Sequence, residues 1–301
     1  MSVNKTILGH LAAAGAYTAF GFNILTCRAI TVHGAISPMG LFTLRALGAA
    51  LLFWIASAFM PKEKVERRDY IHIFIASMLG LFLNQVFFLQ GVSNSTPFDC
   101  AIISSFTPIF TMFVAAVAIK EPITWRKVFG VIMSLLGIVT LIFNTSQASC
   151  GTSETTSFGV VMLLCNGLCF ALYLGIFRPL IVKYSVITFM KWIFLFSLLV
   201  SMPFSFDNLL TVNYIELPVD IIWDILFTVI VSTFIAYIFI PVAQKNIRPT
   251  IISMYAYLQP MIAAAVGTYL GMNHFSWLRL ICAVMVFAGV WVVQTSKSKI
   301  D

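Results

Sequence analysis

The sequence predicts an all-α integral membrane protein of ten transmembrane helices, arranged as two inverted five-helix repeats. Three observations predict it. Of the 301 residues, 60% are hydrophobic and only 10% are charged, with a mean hydropathy of +0.98; a soluble domain carries about 25% charged residues. Ten apolar segments come close to the roughly 20 residues that a helix needs to cross a bilayer. The chain also matches itself after a shift of about half its length, with prolines in register.

In chain order the spans are 7–29, 37–60, 70–90, 97–119, 128–144, 157–179, 187–206, 219–241, 250–271 and 276–294. The breaks carry polar and turn-forming stretches: "PKEKVERRD", "STP", "KEPITWRK", "NTSQASCGTSETTS", "FDNLLTVNYIELP" and "KNIRP". The first span is expected to be retained rather than cleaved as a leader, because its apolar run is long and it reappears in the second half.

The net charge is +7. The basic residues sit in short loops between apolar runs, which is the pattern of membrane topology and excludes a nucleic-acid face. With both termini cytoplasmic, 15 of the 18 Lys and Arg fall inside or at the inner boundary, leaving Arg28, Arg45 and Arg279. The outer loops keep Glu154, Asp207 and Glu216. The cysteines form no C-x-x-C pair, and Cys165 with Cys169 reads as small-residue packing on one helix face, so no metal site and no cofactor are expected.

A shift of 152 places Pro97 on Pro249, Pro108 on Pro260, Trp125 on Trp277 and Gly137 on Gly289. A shift of 150 places Gly9 on Gly159, Phe20 on Phe170 and Arg28 on Arg178. The units are 1–144 and 157–301, joined by an external linker at 145–156. Five spans is an odd number, so the second unit enters the membrane upside down. The loops agree: "PKEKVERRD" carries four Lys or Arg, and its counterpart "FDNLLTVNYIELP" carries none. Inverted repeats with broken helices near the midplane are the architecture of secondary transporters. Pro108 and Pro260 are then hinge candidates, since each removes a backbone hydrogen bond at matching depth; packed kinks are the plainer alternative.

The stretches "ISPMGLFTLR", "NQVFFLQGVSNSTPFDCAIISSFTPIFTMFVAAVAIKEPITW" and "GVVMLLCNGLCFALYLGIFRPL" resemble the drug/metabolite transporter superfamily, EamA type. The "NQ…F..G" run and the "P.FT" core look like bacterial amino-acid exporters and plant nodulin-like transporters. Glu121 matches the glutamate that the family places after its fourth helix; Asn273 departs from the pattern in the second unit. The resemblance implies cytoplasmic termini, a central cavity lined by helices one, three, four, six, eight and nine, and peripheral helices five and ten. It covers nearly the whole chain and is weak for substrate.

Polar groups inside spans are costly and face the protein interior. Three quasi-symmetric pairs stand out: Asn23 with Tyr173, Gln85 with Tyr237, and Thr107 with Gln259. Asn84, Ser104, Ser105, Asn166, Tyr255 and Tyr257 lie on the same spans. Amides and phenols suit zwitterions and ring-bearing metabolites, because they bond polar edges and stack without demanding charge. The competing role for each is an interhelical hydrogen bond, worth about 0.6 kcal/mol. Arg45 is expected to snorkel outward to Asp99, with a substrate carboxylate as its other partner. Glu121 is expected to latch to Arg126 or Lys127 at the cytoplasmic end. No carboxylate lies deep in a span, which points to a facilitator, an exchanger or a weakly coupled carrier.

The expected function is secondary transport of small metabolites, foremost amino acids or related compounds, with drug or dye efflux as the alternative. The expected setting is the inner (plasma) membrane, with the lipid bilayer and a small molecule as partners, and a monomer or weak dimer. No H-E-x-x-H, G-x-S-x-G or deep paired aspartates suggest an enzyme, and no ring of charge suggests a channel.

Overall fold

A computed structural model of the chain describes residues 3–34, 36–94, 103, 104, 106–146, 156–210, 212, 217–259, 261, 262 and 277–296. These are helical throughout, with no strand among the described residues. Helix α1 spans Val3–His33, and α2 spans Pro38–Ala58. Helix α3 runs through Arg67–Ser77, a π-helical turn Met78–Phe82, and Leu83–Ser93. Helices α4 (Thr107–Ala118), α5 (Trp125–Ser146) and α6 (Ser157–Ile176) follow. A short helix, Arg178–Lys183, leads to α7 (Val186–Leu210). Helix α8 runs through Val219–Val229, a second π-helical turn Ile230–Ile235, and Ala236–Asn246. Helix α9 is Pro249–Met254 continued by a 3-10 turn, Tyr255–Tyr257, and α10 is Trp277–Gln294.

Helix therefore occurs in each of the ten expected segments. By length and composition, five helices among the described residues can cross a membrane: Pro38–Ala58, Arg67–Gly91, Ser157–Ile176, Val186–Ser205 and Val219–Asn246. Thr107–Ala118 and Val284–Val293 are shorter apolar helices.

Local chemistry sets the helix starts. Ser37 caps α2, its Oγ accepting from Gly40 N at 3.0 Å, and Pro38 occupies the first turn, where a missing N–H costs nothing. Thr156 caps α6 in the same way, accepting from Gly159 N at 3.1 Å. Pro249 opens α9. Pro108 corrects a sequence expectation. It does not interrupt a continuous helix; it lies in the first turn of α4, after a tight turn in which Phe106 N bonds Ile103 O at 3.1 Å. A proline fits that position far better than a helix interior. The counterparts of 103–105 at a shift of 152 are Tyr255–Tyr257, which form the 3-10 turn of α9. Pro260 lies outside the described residues.

The faces are inverted relative to a soluble protein. Large apolar side chains are exposed on the helix exteriors, Val117, Trp223 and Trp291 among them. Small hydroxyls bridge the helices: the buried pairs Ser77 with Ser197 at 2.8 Å and Thr43 with Ser205 at 2.5 Å, and half-buried Thr26 with Thr228 at 3.0 Å. Where no water competes, such bonds join helices that the hydrophobic effect cannot.

The helix pairings form a self-matching set. Helix α5 packs on α10, α2 on α7, α1 on α8, and α3 on α6. Exchanging each helix for the one five places away returns the same set. Residues repeat the pattern. A Cβ at Gly130 would meet Gly289 O at 2.7 Å, and one at Gly137 would meet Cys282 O at 3.0 Å. A shift of 152 turns the first pair into the second. Between them Ser134 Oγ donates to Val286 O at 3.2 Å, and these two residues are each other's counterparts. Asn94 Nδ2 bonds Gln90 O at 2.9 Å, and its counterpart Asn246 bonds Val242 O at 2.7 Å.

Candidate functional site

The two π-helical turns also obey the shift: Met78 falls on Ile230 and Phe82 on Phe234. A π turn inserts one extra residue and disturbs the regular backbone ladder, and such turns are frequent at functional sites. Leu81 from the first turn and Thr233 from the second line one narrow crevice. Phe42, Arg45 and Ala46 of α2, Gln85 of α3 and Phe194 of α7 complete its walls.

Arg45 is 6% exposed. Its Nε donates to Thr233 Oγ1 at 2.9 Å, and that hydroxyl donates in turn to Thr228 O at 2.7 Å across the π turn. No carboxylate lies within ion-pair distance of Arg45 among the described residues. Asp99, the expected partner, lies outside the described residues; among those described, Arg45 bonds a hydroxyl of α8.

Beside the crevice Tyr237 stands near Gln85. The Tyr17 and Tyr173 hydroxyls are buried with no hydrogen-bond partner among the described residues. Phe20 packs edge-on against both Tyr17 and Tyr237, with ring centroids 5.8 and 5.7 Å apart. Phe194 packs edge-on against Tyr237 at 5.3 Å. The result is an aromatic wall with polar tips and one cation.

The other expected site residues are dispersed. Asn84 and Asn166 face each other: Asn84 Nδ2 donates to Asn166 O at 3.1 Å, and Asn166 Nδ2 to Asn84 O at 2.8 Å. Their amide groups clamp α3 to α6. Asn23 is buried and accepts from Cys27 Sγ at 3.5 Å. Thr107 is buried, and its Oγ1 lies against Gly167. Tyr255 OH bonds His10 Nδ1 at 2.8 Å. Tyr257 is buried, while Ser104 and Gln259 are half-buried, with Gln259 against Gly21. Ser105 lies outside the described residues. Tyr17, Phe20, Phe194 and Thr233 escaped the sequence reading. Tyr17 falls on Gly167 and Thr233 on Leu81, so a search for matched polar pairs passes over both.

The second constellation lies at the basic end, where α1 starts and α10 finishes. Lys120 takes a left-handed φ of 53°, turning the chain so that Glu121 N bonds Ala115 O at 3.1 Å. This points the Glu121 carboxylate inward, at 3% residue exposure. Lys127 Nζ donates to Glu121 Oε1 and to Pro122 O, each at 2.7 Å. From the other half of the chain, Thr250 Oγ1 donates to Glu121 Oε2 at 3.3 Å, and Arg248 Nη1 stands 3.8 Å from Oε1. Arg126 is exposed and takes no part. Nearby, Glu63 accepts from the Ser185 backbone N–H at 3.0 Å, at the start of α7. Burial pushes the Glu63 carboxyl up, but bonds from Thr188 and Ser185 outweigh it and hold the group below its ordinary range. Lys183 bridges Glu66 and Asp69, each at 2.7 Å, and these bonds hold its ammonium above the usual lysine range.

No cluster of metal-ligating side chains occurs among the described residues. The arrangement offers hydrogen bonding, ring stacking and one fixed positive charge between helices, which suits binding and passage.

Comparison with known proteins agrees. The model of the EamA-like transporter family matches residues 7–143 and again 157–295. The uncharacterized transporter YyaM of Bacillus subtilis (strain 168) is 23% identical over 290 residues, covering 90% of each chain. The S-adenosylmethionine uptake transporter of Rickettsia prowazekii (strain Madrid E) is 21% identical over 210 residues, covering 69% of this chain and 65% of its own. A solved crystal structure of a protein superposes on 97% of this chain and 98% of its own, with a TM-score of 0.77 at 14% identity, a likeness of fold alone. Two family matches across nearly the full length, on a fold that is helical throughout its described residues, place this multi-pass membrane protein in the EamA-like transporter family of the drug/metabolite transporter superfamily.

Proposed function

We propose that the protein is a secondary carrier that moves small metabolites, foremost amino acids or compounds built on them, by alternating access. Two antiparallel five-helix units, 1–144 and 157–301 with a linker at 145–156, would rock about the crevice beside Arg45. The observation that carries this reading is the pair of π turns in register at a shift of 152, both lining that crevice. The self-matching helix pairs and the doubled family match support the same reading. Ten spans, cytoplasmic termini, a plasma-membrane setting and a monomeric or weakly dimeric state complete the proposal. It includes no catalysis, no resident metal or cofactor, and no nucleic-acid partner.

Glu121 and Lys127 from one unit, with Arg248 and Thr250 from the other, form a latch at the cytoplasmic end. In this conformation the latch is closed. Pro108, opening α4 after a tight turn, is a point about which that helix can pivot.

The amino-acid reading draws support from the amide, phenol and guanidinium groups at the crevice. The relative named for S-adenosylmethionine uptake adds that compound, an amino acid carrying a nucleoside, to the probes. Purified protein in liposomes should show saturable flux of one or more of the L-amino acids or S-adenosylmethionine, accelerated by the same compound on the opposite side. Flux that never saturates would indicate a channel. Flux confined to hydrophobic dyes would favour drug efflux.

A further inference from the structure

We propose that Arg45 is the anchor for a substrate carboxylate, so that the carrier selects metabolites bearing one anionic head. This rests on the carrier reading above and names its substrate class. A guanidinium carries its positive charge into the fold. An unpaired charge between helices is costly and calls for a partner. Arg45 is 6% exposed, and Thr233 engages only its Nε. The ion pairs of the described residues do not include it. Its side chain borders the crevice with Gln85, which lies beside Tyr237. A planar guanidinium offers a fork of donors that fits the two oxygens of a carboxylate. Thr233 fixes the near side of the fork, and its own hydroxyl is fixed by donating to the Thr228 carbonyl. The aromatic wall of Phe194, Phe20 and Tyr237 stands beside this head site and suits the rest of a small organic molecule.

Two readouts test the assignment. The first is the thermal stability of the ligand-free protein. Arg45→Gln removes a buried charge that awaits its partner, so its Tm should equal or exceed that of the wild type. A clear fall would overturn the proposal by showing Arg45 to be a structural tie to α8. Asp99→Asn serves as a control, and a fall in its Tm that vanishes in the Arg45→Gln background would assign the guanidinium to Asp99 instead. The second readout is efflux from proteoliposomes loaded with a total water-soluble metabolite extract, supplemented with the L-amino acids and their α-amides and followed by mass spectrometry. The expected cargo bears a carboxylate, its α-amide moves at least ten-fold more slowly, and Arg45→Gln erases that difference. Arg45→Lys, which keeps the charge and loses the fork, should fold and should raise the KM for the carboxylate by about ten-fold. Wild-type transport confined to compounds without an anionic group, or unchanged in both variants, would overturn the anchor and leave the carrier standing. No flux of any compound by the wild type would overturn the carrier reading and the anchor with it.

Discussion

Lys127 Nζ lies 2.7 Å from Glu121 Oε1, and both side chains are about 1% exposed. An ion pair so deeply buried has lost its hydration, and each partner is tolerated because the other is present. Breaking one side takes from the other its nearest counter-charge, leaving Glu121 the more distant Arg248 at 3.8 Å, or Lys127 no carboxylate within ion-pair distance among the described residues. Glu121→Gln or Lys127→Met alone should therefore cost about 3–5 kcal/mol, read as a large fall in Tm. The double variant Glu121→Gln with Lys127→Met should recover most of the loss. A double variant as unstable as the sum of the two singles would mean that the residues act separately.

Lys120 holds a left-handed φ of 53° so that Glu121 can face inward. A side chain in that region costs about 1–2 kcal/mol, and glycine escapes most of this. Lys120→Gly should leave Tm unchanged or raised, with the Glu121–Lys127 pair intact. A marked fall would show that the Lys120 side chain contributes something other than its turn.

Helices α5 and α10 cross so closely that a Cβ on Gly289 would collide with Ser134 Oγ and with Gly130 O. Gly289→Val should lower stability by about 1–3 kcal/mol through overpacking. Because this pair lies away from the crevice, the KM of whatever cargo is identified should not move. A changed KM with unchanged Tm would place α10 at the transport path.

Glu63 holds the start of α7 through the Ser185 N–H. Its carboxyl sits below the ordinary value of 4.5, so the folded state favours the ionised form. That contribution is present above the unfolded value and is lost as pH falls through the lower folded one. Between about pH 5 and pH 3 the wild-type Tm should drop more steeply than that of Glu63→Gln, and the gap between them should close. Parallel curves would show that the bond is energetically silent.

The membrane fold was legible because apolar runs, loop charges and paired prolines are written in residue types. The π turns were not, since a one-residue change of helical register leaves hydropathy untouched. Symmetry helped and misled in turn. It singled out Gln85 and Tyr237, which stand near each other. It passed over Tyr17 and Thr233, whose counterparts are Gly167 and Leu81. Asn84 and Asn166 looked like ligand amides, yet each is used on the other's backbone, something no spacing along one helix reveals. Asn94 and Asn246 were in register all along. Their shared role, bonding the carbonyl four residues back, needs the structure to be seen.

The central claim is that two copies of one five-helix unit lie antiparallel in the membrane. Arg68 and Asp220 test it most directly. They are counterparts at a shift of 152, both exposed, at the starts of α3 and α8. In a background without the native cysteines, Arg68→Cys and Asp220→Cys would each be challenged with a membrane-impermeant maleimide. Asp220→Cys should react in intact cells, and Arg68→Cys only after the membrane is opened. Labelling of both from the same side would contradict it.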